Sequence, residues 1–72
     1  MTVIEEMIWP EPGQVWADND PRSPRTFRIT EVVKGWVFTV PVDPPDGRPS
    51  RIKVERFMDD GPRGYRFVEW AR

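Results

Sequence analysis

Residues 26–42 constrain the fold more than any other stretch, because they form two short runs in which apolar and polar side chains alternate. The first run starts at Phe27 and the second at Trp36, and both are rich in aromatic and β-branched residues. A period of two with this composition is typical of half-buried antiparallel strands. Lys34 and Gly35, between the runs, suit a tight turn in which the glycine takes a positive φ. The stretch therefore predicts a β-hairpin.

The alternation is interrupted within the first run. Continued from Ile29, it places Glu31 in the core and Val32 in solvent. A β-bulge at Thr30 and Glu31 returns Val32 to the core and bends the strand. Glu31 is then either a partly buried, functional carboxylate or, in the favoured interpretation, a residue that turns to solvent or pairs with an arginine.

Three further stretches have the pattern of short strands, namely residues 13–17, 51–57 and 65–70. Proline-rich and glycine-containing turns separate them. Five short strands of this kind predict an all-β domain, a small five-stranded antiparallel barrel that closes on itself and removes exposed strand edges. The predicted domain covers residues 13–72 and follows an N-terminal arm of residues 1–12.

The arm, residues 1–12, admits two structures. Thr2 and Glu5 have the spacing of a helix capping box, which predicts one helical turn, but an arm extended along the barrel fits equally well. Residues 1–20 hold five carboxylates and no basic residue, whereas residues 22–72 hold all eleven basic residues against seven acidic ones. The acidic segment either mixes charge for solubility, the favoured interpretation, or covers a basic surface.

The composition argues against most catalytic and metal-binding chemistry. The 72 residues contain no cysteine and no histidine. Disulfides, thiolate zinc sites and serine–histidine pairs therefore require residues that the chain does not have. An acidic turn that starts at Asp18 lacks the glutamate that a calcium loop needs at position twelve, where Ile29 stands. We expect a domain that is not an enzyme and binds neither a cofactor nor a metal.

Several short motifs resemble one family of small proteins. They are Gly13-Gln14-Val15-Trp16, then Asp18 and Asp20 before Arg22 and Arg25, then Phe27-Arg28-Ile29 with Val32, then Arg51-Ile52, Arg56-Phe57 and Gly64-Tyr65 with Val68. Together they resemble small proteins of actinobacteria and their phages, most of them of uncharacterised function. The resemblance covers residues 13–70 and implies an SH3-like barrel without a catalytic residue set. The sequence has neither a basic signal segment nor a run long enough for a membrane span, which predicts a cytoplasmic location, in the host cytoplasm for a phage protein.

The last predicted strand carries large apolar side chains on both faces. Val68 and Trp70 share one face, and Tyr65 and Phe67 share the other, so one pair has to face outward. An exposed aromatic patch on a small protein usually marks an interface. The favoured function is therefore a non-catalytic module that binds a protein partner. The resemblance implies that it is an accessory protein of a phage or an actinobacterium, and that the partner of a phage protein is a host protein.

The predicted contact residues of this module are Trp9, Asp18, Asp20, Tyr65 and Trp70. Trp16 and Trp36, which lie within strands, are expected in the core. An equally weighted alternative is that the arm folds over the barrel and that Trp9 covers the aromatic patch.

Nucleic-acid binding is the main alternative function. Its predicted residues share the outer face of the sheet and are Arg28, Arg51, Lys53 and Arg66. Arginines interleaved with aromatic rings bind single strands through phosphate contacts and base stacking, although the net charge of −1 opposes this function. Self-association into a homodimer or a larger assembly, through an open strand edge or the arm, is a third possibility.

Overall fold

The computed structural model describes residues 8–22, 24–59 and 61–71. The elements are β1 (Gln14–Asp18), β2 (Thr26–Val33), β3 (Trp36–Asp43), β4 (Ser50–Lys53), a 3-10 helix (Val54–Met58) and β5 (Tyr65–Trp70). No α-helix occurs within these described ranges, so the predicted all-β class is confirmed. The predicted helical turn at Thr2 and Glu5 lies outside the described residues.

The strands form one five-stranded sheet in the order β4-β3-β2-β1-β5. Each neighbouring pair is antiparallel, as predicted. The hydrogen-bonded ladders of the described residues end at β4 and β5, which are therefore the two edges of the sheet. Closure of the sheet into a complete barrel stays a prediction.

The hairpin between β2 and β3 turns at the two residues that the sequence indicated. Lys34 has a φ of 51° and Gly35 a φ of 83°. Two consecutive positive φ values characterise the type I′ turn, whose twist matches that of the strands it joins. Val33 pairs with Trp36 directly beyond the turn. The predicted tight hairpin is confirmed.

The predicted bulge in β2 is also confirmed. The register of β2 against β3 slips between Ile29 and Glu31, which leaves Thr30 as the extra residue. The Thr30 hydroxyl donates a hydrogen bond to the Phe38 carbonyl at 3.2 Å. Val32 packs against the core, whereas Glu31 is exposed. The idea that Glu31 is partly buried is therefore wrong, because the bulge turns its carboxylate to solvent.

The fourth strand is shorter than the predicted stretch of residues 51–57. It ends at Lys53, and the chain then winds into the 3-10 helix. The Val54 N–H donates to the Gly35 carbonyl at 2.9 Å, which holds the helix beside the hairpin. Strict alternation after Val54 places Phe57 in solvent, but side chains three residues apart in a 3-10 helix point the same way. Phe57 therefore enters the core beside Val54.

An aromatic cluster forms the centre of the core. The buried residues of the cluster are Trp16, Phe27, Ile29, Val37 and Phe57. The rings of Trp16 and Phe57 meet edge to face at a centroid distance of 4.9 Å, and those of Phe27 and Tyr65 at 5.2 Å. Pairs of this geometry contribute about 0.5–1.5 kcal/mol beyond the area that they bury. A short chain thus obtains its interior from a few large rings.

Trp36 does not belong to this core, contrary to the prediction. Its neighbour Val37 is fully buried and pairs with Ile52, so the alternation of β3 places Trp36 on the outer face. The indole is half-buried there, and the Arg51 guanidinium lies 4.4 Å from its ring centroid. The prediction failed because a period of two does not say which of the two faces is the inner one. Trp16, in contrast, is in the core as predicted.

A second bulge lies in β5. The register of β1 against β5 slips between Val15 and Trp16, and Val68 is the extra residue. The Trp70 ring lies 6.3 Å from the Phe67 ring. Val68 and Trp70 are both exposed, whereas Tyr65 and Phe67 pack against the core, so the predicted outward and inward pairs of this strand agree with the structure.

Candidate functional site

A buried amide connects the N-terminal segment to the sheet. Gln14 is 1% exposed, and its Oε1 accepts hydrogen bonds from Trp16 Nε1 at 2.8 Å and from the Glu11 N–H at 2.9 Å. Its Nε2 donates to the Trp9 carbonyl at 2.9 Å. One side chain thus satisfies the indole N–H of the core and fixes the backbone of residues 9–11. Sequence reasoning missed Gln14, although a buried tryptophan needs a hydrogen-bond acceptor nearby.

Two exposed indoles flank this anchored end of β1. Trp9 is held through Gln14, and Trp70 pairs with Gln14 in the ladder between β1 and β5. The Trp70 ring also lies against Gly13, where an added Cβ would be 3.8 Å from Cε3 of the indole. Trp9 is 57% exposed and Trp70 53% exposed, so Trp9 does not cover Trp70. We call the exposed apolar residues of this region the tryptophan patch: Ile8, Trp9, Val68 and Trp70.

The other predicted contact residues lie at the far end of β1. Asp18 pairs with Tyr65 in the ladder, about 13 Å along the strand from the tryptophan patch. The Asp18 carboxylate accepts a hydrogen bond from Arg25 at 2.9 Å, and that of Asp20 accepts one from Arg22 at 3.2 Å. The Arg22 hydrogen bonds hold the pKa of Asp20 below its ordinary value. Of the five predicted contact residues, the structure therefore places only the two tryptophans beside the Gln14 end of β1.

Tyr65 is mainly a packing residue. Its ring contacts those of Phe27 and Phe57 at centroid distances of 5.2 and 5.1 Å, and the Arg56 guanidinium lies 5.5 Å from its centroid. Burial raises the pKa of the Tyr65 phenol, and the nearby Arg56 charge opposes part of that rise. Tyr65 therefore packs against the aromatic core.

Three of the four predicted nucleic-acid-binding residues share one surface. Arg28 on β2 and the pair Arg51 and Lys53 on β4 are exposed on the outer face of the sheet, on either side of β3. Arg66 lies on β5 at the opposite edge, where its guanidinium donates to the Asp18 carbonyl at 2.7 Å. The predicted basic face therefore exists on β2 and β4 without Arg66.

A cleft of about 120 Å³ opens where β2 starts and β3 ends. Phe27, Ile52 and Tyr65 line it together with Arg25 and Arg48. For this region the sequence predicted only proline-rich and glycine-containing turns. No local pattern pointed to the cleft, because its walls come from separate strands and loops.

The chain shows no significant match to any protein-family model, curated protein or solved structure. Within the ranges that the structure describes, no three carboxylates, histidines or cysteines lie close enough together to hold a metal ion. The same ranges contain no helix of sufficient length and hydrophobicity to span a bilayer. The function of the chain therefore has to be inferred from its surfaces.

Proposed function

We propose that this chain is a non-catalytic module that binds a protein partner through the tryptophan patch. The observation that carries the proposal is the exposure of two indoles, 57% for Trp9 and 53% for Trp70, beside the same buried glutamine. Tryptophan is enriched among the residues that dominate binding energy at protein interfaces. Exposed apolar groups that cluster in a small domain are typical of an interaction site.

The tryptophan patch is also held in place before any partner arrives. The Gln14 amide fixes the backbone at Trp9, and the Trp70 ring rests against Gly13 and Phe67. Ordering of side chains and loops at an interface opposes association, so a fixed patch binds with a smaller loss of conformational freedom. This anchoring supports binding rather than a merely tolerated exposure.

The identity of the partner follows only from the resemblance. The motifs of residues 13–70 are similar to those of small SH3-like proteins of actinobacteria and their phages, which supports an accessory protein that acts on an actinobacterial protein in the cytoplasm. The absence of histidine and cysteine supports a binding role without catalysis. An actinobacterial lysate is therefore the appropriate source of partners.

The test compares two double variants in pull-downs from such a lysate at high salt. Trp9→Ala/Trp70→Ala removes the indoles of the patch, and Val42→Ala/Met58→Ala removes two other exposed apolar side chains as a matched control. We expect one defined protein to be retained by the wild type and by the control, and to be lost from the tryptophan variant. Titration of that purified protein should then show a loss of about thirtyfold or more, as for interface residues that contribute 2 kcal/mol.

Two outcomes would overturn this proposal. Equal retention by the tryptophan variant and the control would show that the patch does not make the contact. Light scattering provides the second outcome. A wild-type dimer that dissociates in the tryptophan variant would make a second copy of the chain the occupant of the patch.

A further inference from the structure

A second surface, remote from the tryptophan patch, alternates cations with aromatic rings. It lies on the outer face of β2, β3 and β4, and we call it the basic–aromatic face: Arg28, Trp36, Phe38, Arg51 and Lys53. In the ladder between β3 and β4, Trp36 pairs with Lys53 and Phe38 pairs with Arg51. The Arg51 guanidinium lies 4.4 Å from the Trp36 ring centroid, and Lys53 Nζ lies 5.6 Å from it.

Two shallow grooves flank the stack of Arg51 on Trp36. One, of about 330 Å³, is lined by Phe38 together with Thr30, Val40, Pro49 and Ser50. The other, of about 520 Å³, runs past Lys53 toward Arg56 and Tyr65. An aromatic ring therefore borders each groove, and a cation stands between them.

The charges of this region favour an anionic ligand. Four exposed cations, at positions 28, 51, 53 and 56, outnumber the two exposed carboxylates of Glu31 and Glu55. The carboxylates of Asp18 and Asp20 lie elsewhere and are paired with arginines. The region is thus locally basic although the chain as a whole carries a net charge of −1.

We propose that the basic–aromatic face binds a short stretch of single-stranded nucleic acid. Bases stack on Trp36 and Phe38, and phosphates pair with Arg28, Arg51 and Lys53. Stacking plus phosphate neutralisation is how sequence-tolerant proteins hold single strands. A base that occupies the Trp36 ring displaces Arg51, whose guanidinium then pairs with the adjacent phosphate. The grooves are shallow and lined by strands, and the described residues form no α-helix that could enter a major groove, so the grooves favour a flexible single strand over a duplex.

Fluorescence anisotropy with a labelled oligothymidylate of about twelve nucleotides tests the proposal, because this length covers a typical barrel-sized site. We expect binding that weakens as salt rises. Arg51→Ala/Lys53→Ala should lower the affinity more than tenfold and flatten the log–log salt dependence by about 1.4, the value for two lost phosphate contacts on a single strand. The charge-matched control Arg22→Ala/Arg63→Ala alters arginines beside Asp20 and should have little effect.

Substitutions of Trp36 distinguish the contribution of base stacking to binding from the contribution of charge. Trp36→Leu should weaken binding about fivefold or more, whereas Trp36→Phe, which keeps an aromatic ring, should retain most of the affinity. Trp9→Ala/Trp70→Ala should bind the oligonucleotide like the wild type, which distinguishes this face from the tryptophan patch. Circular dichroism of each variant confirms that the fold is kept.

Three results would overturn the proposal. The first is that the wild type does not bind at low salt. The second is that Arg22→Ala/Arg63→Ala loses as much affinity as Arg51→Ala/Lys53→Ala. The third is that a duplex binds as tightly as the single strand. The first two would remove the site, and the third would reduce it to unspecific charge attraction.

Discussion

Trp16 and Trp70 lie on neighbouring strands, yet their surroundings are opposite. Trp16 is 3% exposed, its indole N–H donates to Gln14, and ring edges pack against it on two sides. Trp70 is 53% exposed and meets one ring, that of Phe67. Trp16, the buried indole of this pair, has both packed ring neighbours and a hydrogen-bond acceptor for its N–H. Stability therefore accounts for Trp16 but not for the exposed indole of Trp70, which the proposed binding role would explain.

Removal of each indole in turn is the most severe test of this difference between Trp16 and Trp70. Trp16→Ala should lower the free energy of unfolding by about 3–5 kcal/mol, the range for aromatic truncation in a core, which unfolds much of a domain this small. Trp70→Ala should lower it by about 1 kcal/mol or less, because more than half of the side chain is already in water. Urea unfolding measures both values. Comparable losses in the two variants would contradict the division between interior and surface.

Two adjacent residues of the 3-10 helix provide a second test of the difference between buried and exposed side chains. Phe57 is 5% exposed and Met58 37% exposed. We expect Phe57→Ala to lower the free energy of unfolding by about 3 kcal/mol or more, and Met58→Ala to change it by about 0.5 kcal/mol at most. Thermal and urea unfolding of the two variants give the difference. If Met58→Ala were the more damaging substitution, the orientation of the 3-10 helix would be wrong.

The sequence predicted much of the fold because alternation and turn chemistry are local signals. The hairpin at Lys34 and Gly35 and the bulge at Thr30 both follow from residues within a few positions. The outward position of Trp36 and the bulge at Val68 depend on the register of a partner strand, which no local pattern encodes. The 3-10 helix was missed because Ile52 and its neighbours keep the strand period up to the residue where the helix begins.

The candidate site was predictable only in part, for the same reason. Trp9 and Trp70 stood out because each lies outside or at the end of a strand pattern. Asp18 was assigned to the same surface, but its carboxylate is occupied by an arginine seven residues away, a pairing that follows from the folded loop. Gln14 was overlooked because its three partners gather only when the chain before β1 packs back on the strand.

The Gln14 network offers a more selective way to test the interior. Gln14→Leu should lower the free energy of unfolding by about 1–3 kcal/mol, because it leaves the buried indole N–H of Trp16 without an acceptor. The double variant Gln14→Leu/Trp16→Phe removes donor and acceptor together and should cost less than the sum of the single changes. A double-mutant cycle from urea unfolding measures this coupling. Strictly additive effects would mean that the hydrogen bond contributes nothing.

The smallest expected effect on stability is the pH dependence due to Tyr65, which lies between the buried core and the exposed surface. Burial raises its folded-state pKa above the ordinary value of 10.0. The stabilisation that depends on the protonated phenol is complete below about pH 10 and is lost as the pH rises through the higher folded-state pKa. Spectrophotometric titration of the phenol and unfolding curves above pH 9 test this, with Tyr65→Phe as the control that should lose the pH dependence. A Tyr65 pKa at or below 10.0 would contradict its burial.

Hydrogen exchange of the four indole N–H groups, followed by NMR, tests the central division between interior and surface most directly. The structure places one indole N–H in a buried hydrogen bond, that of Trp16, and leaves Trp9 and Trp70 more than half exposed. We expect Trp16 to exchange most slowly, by opening of the domain, and Trp9 and Trp70 to exchange nearly as fast as an unprotected indole. Slow exchange at Trp9 or Trp70, or fast exchange at Trp16, would contradict the account.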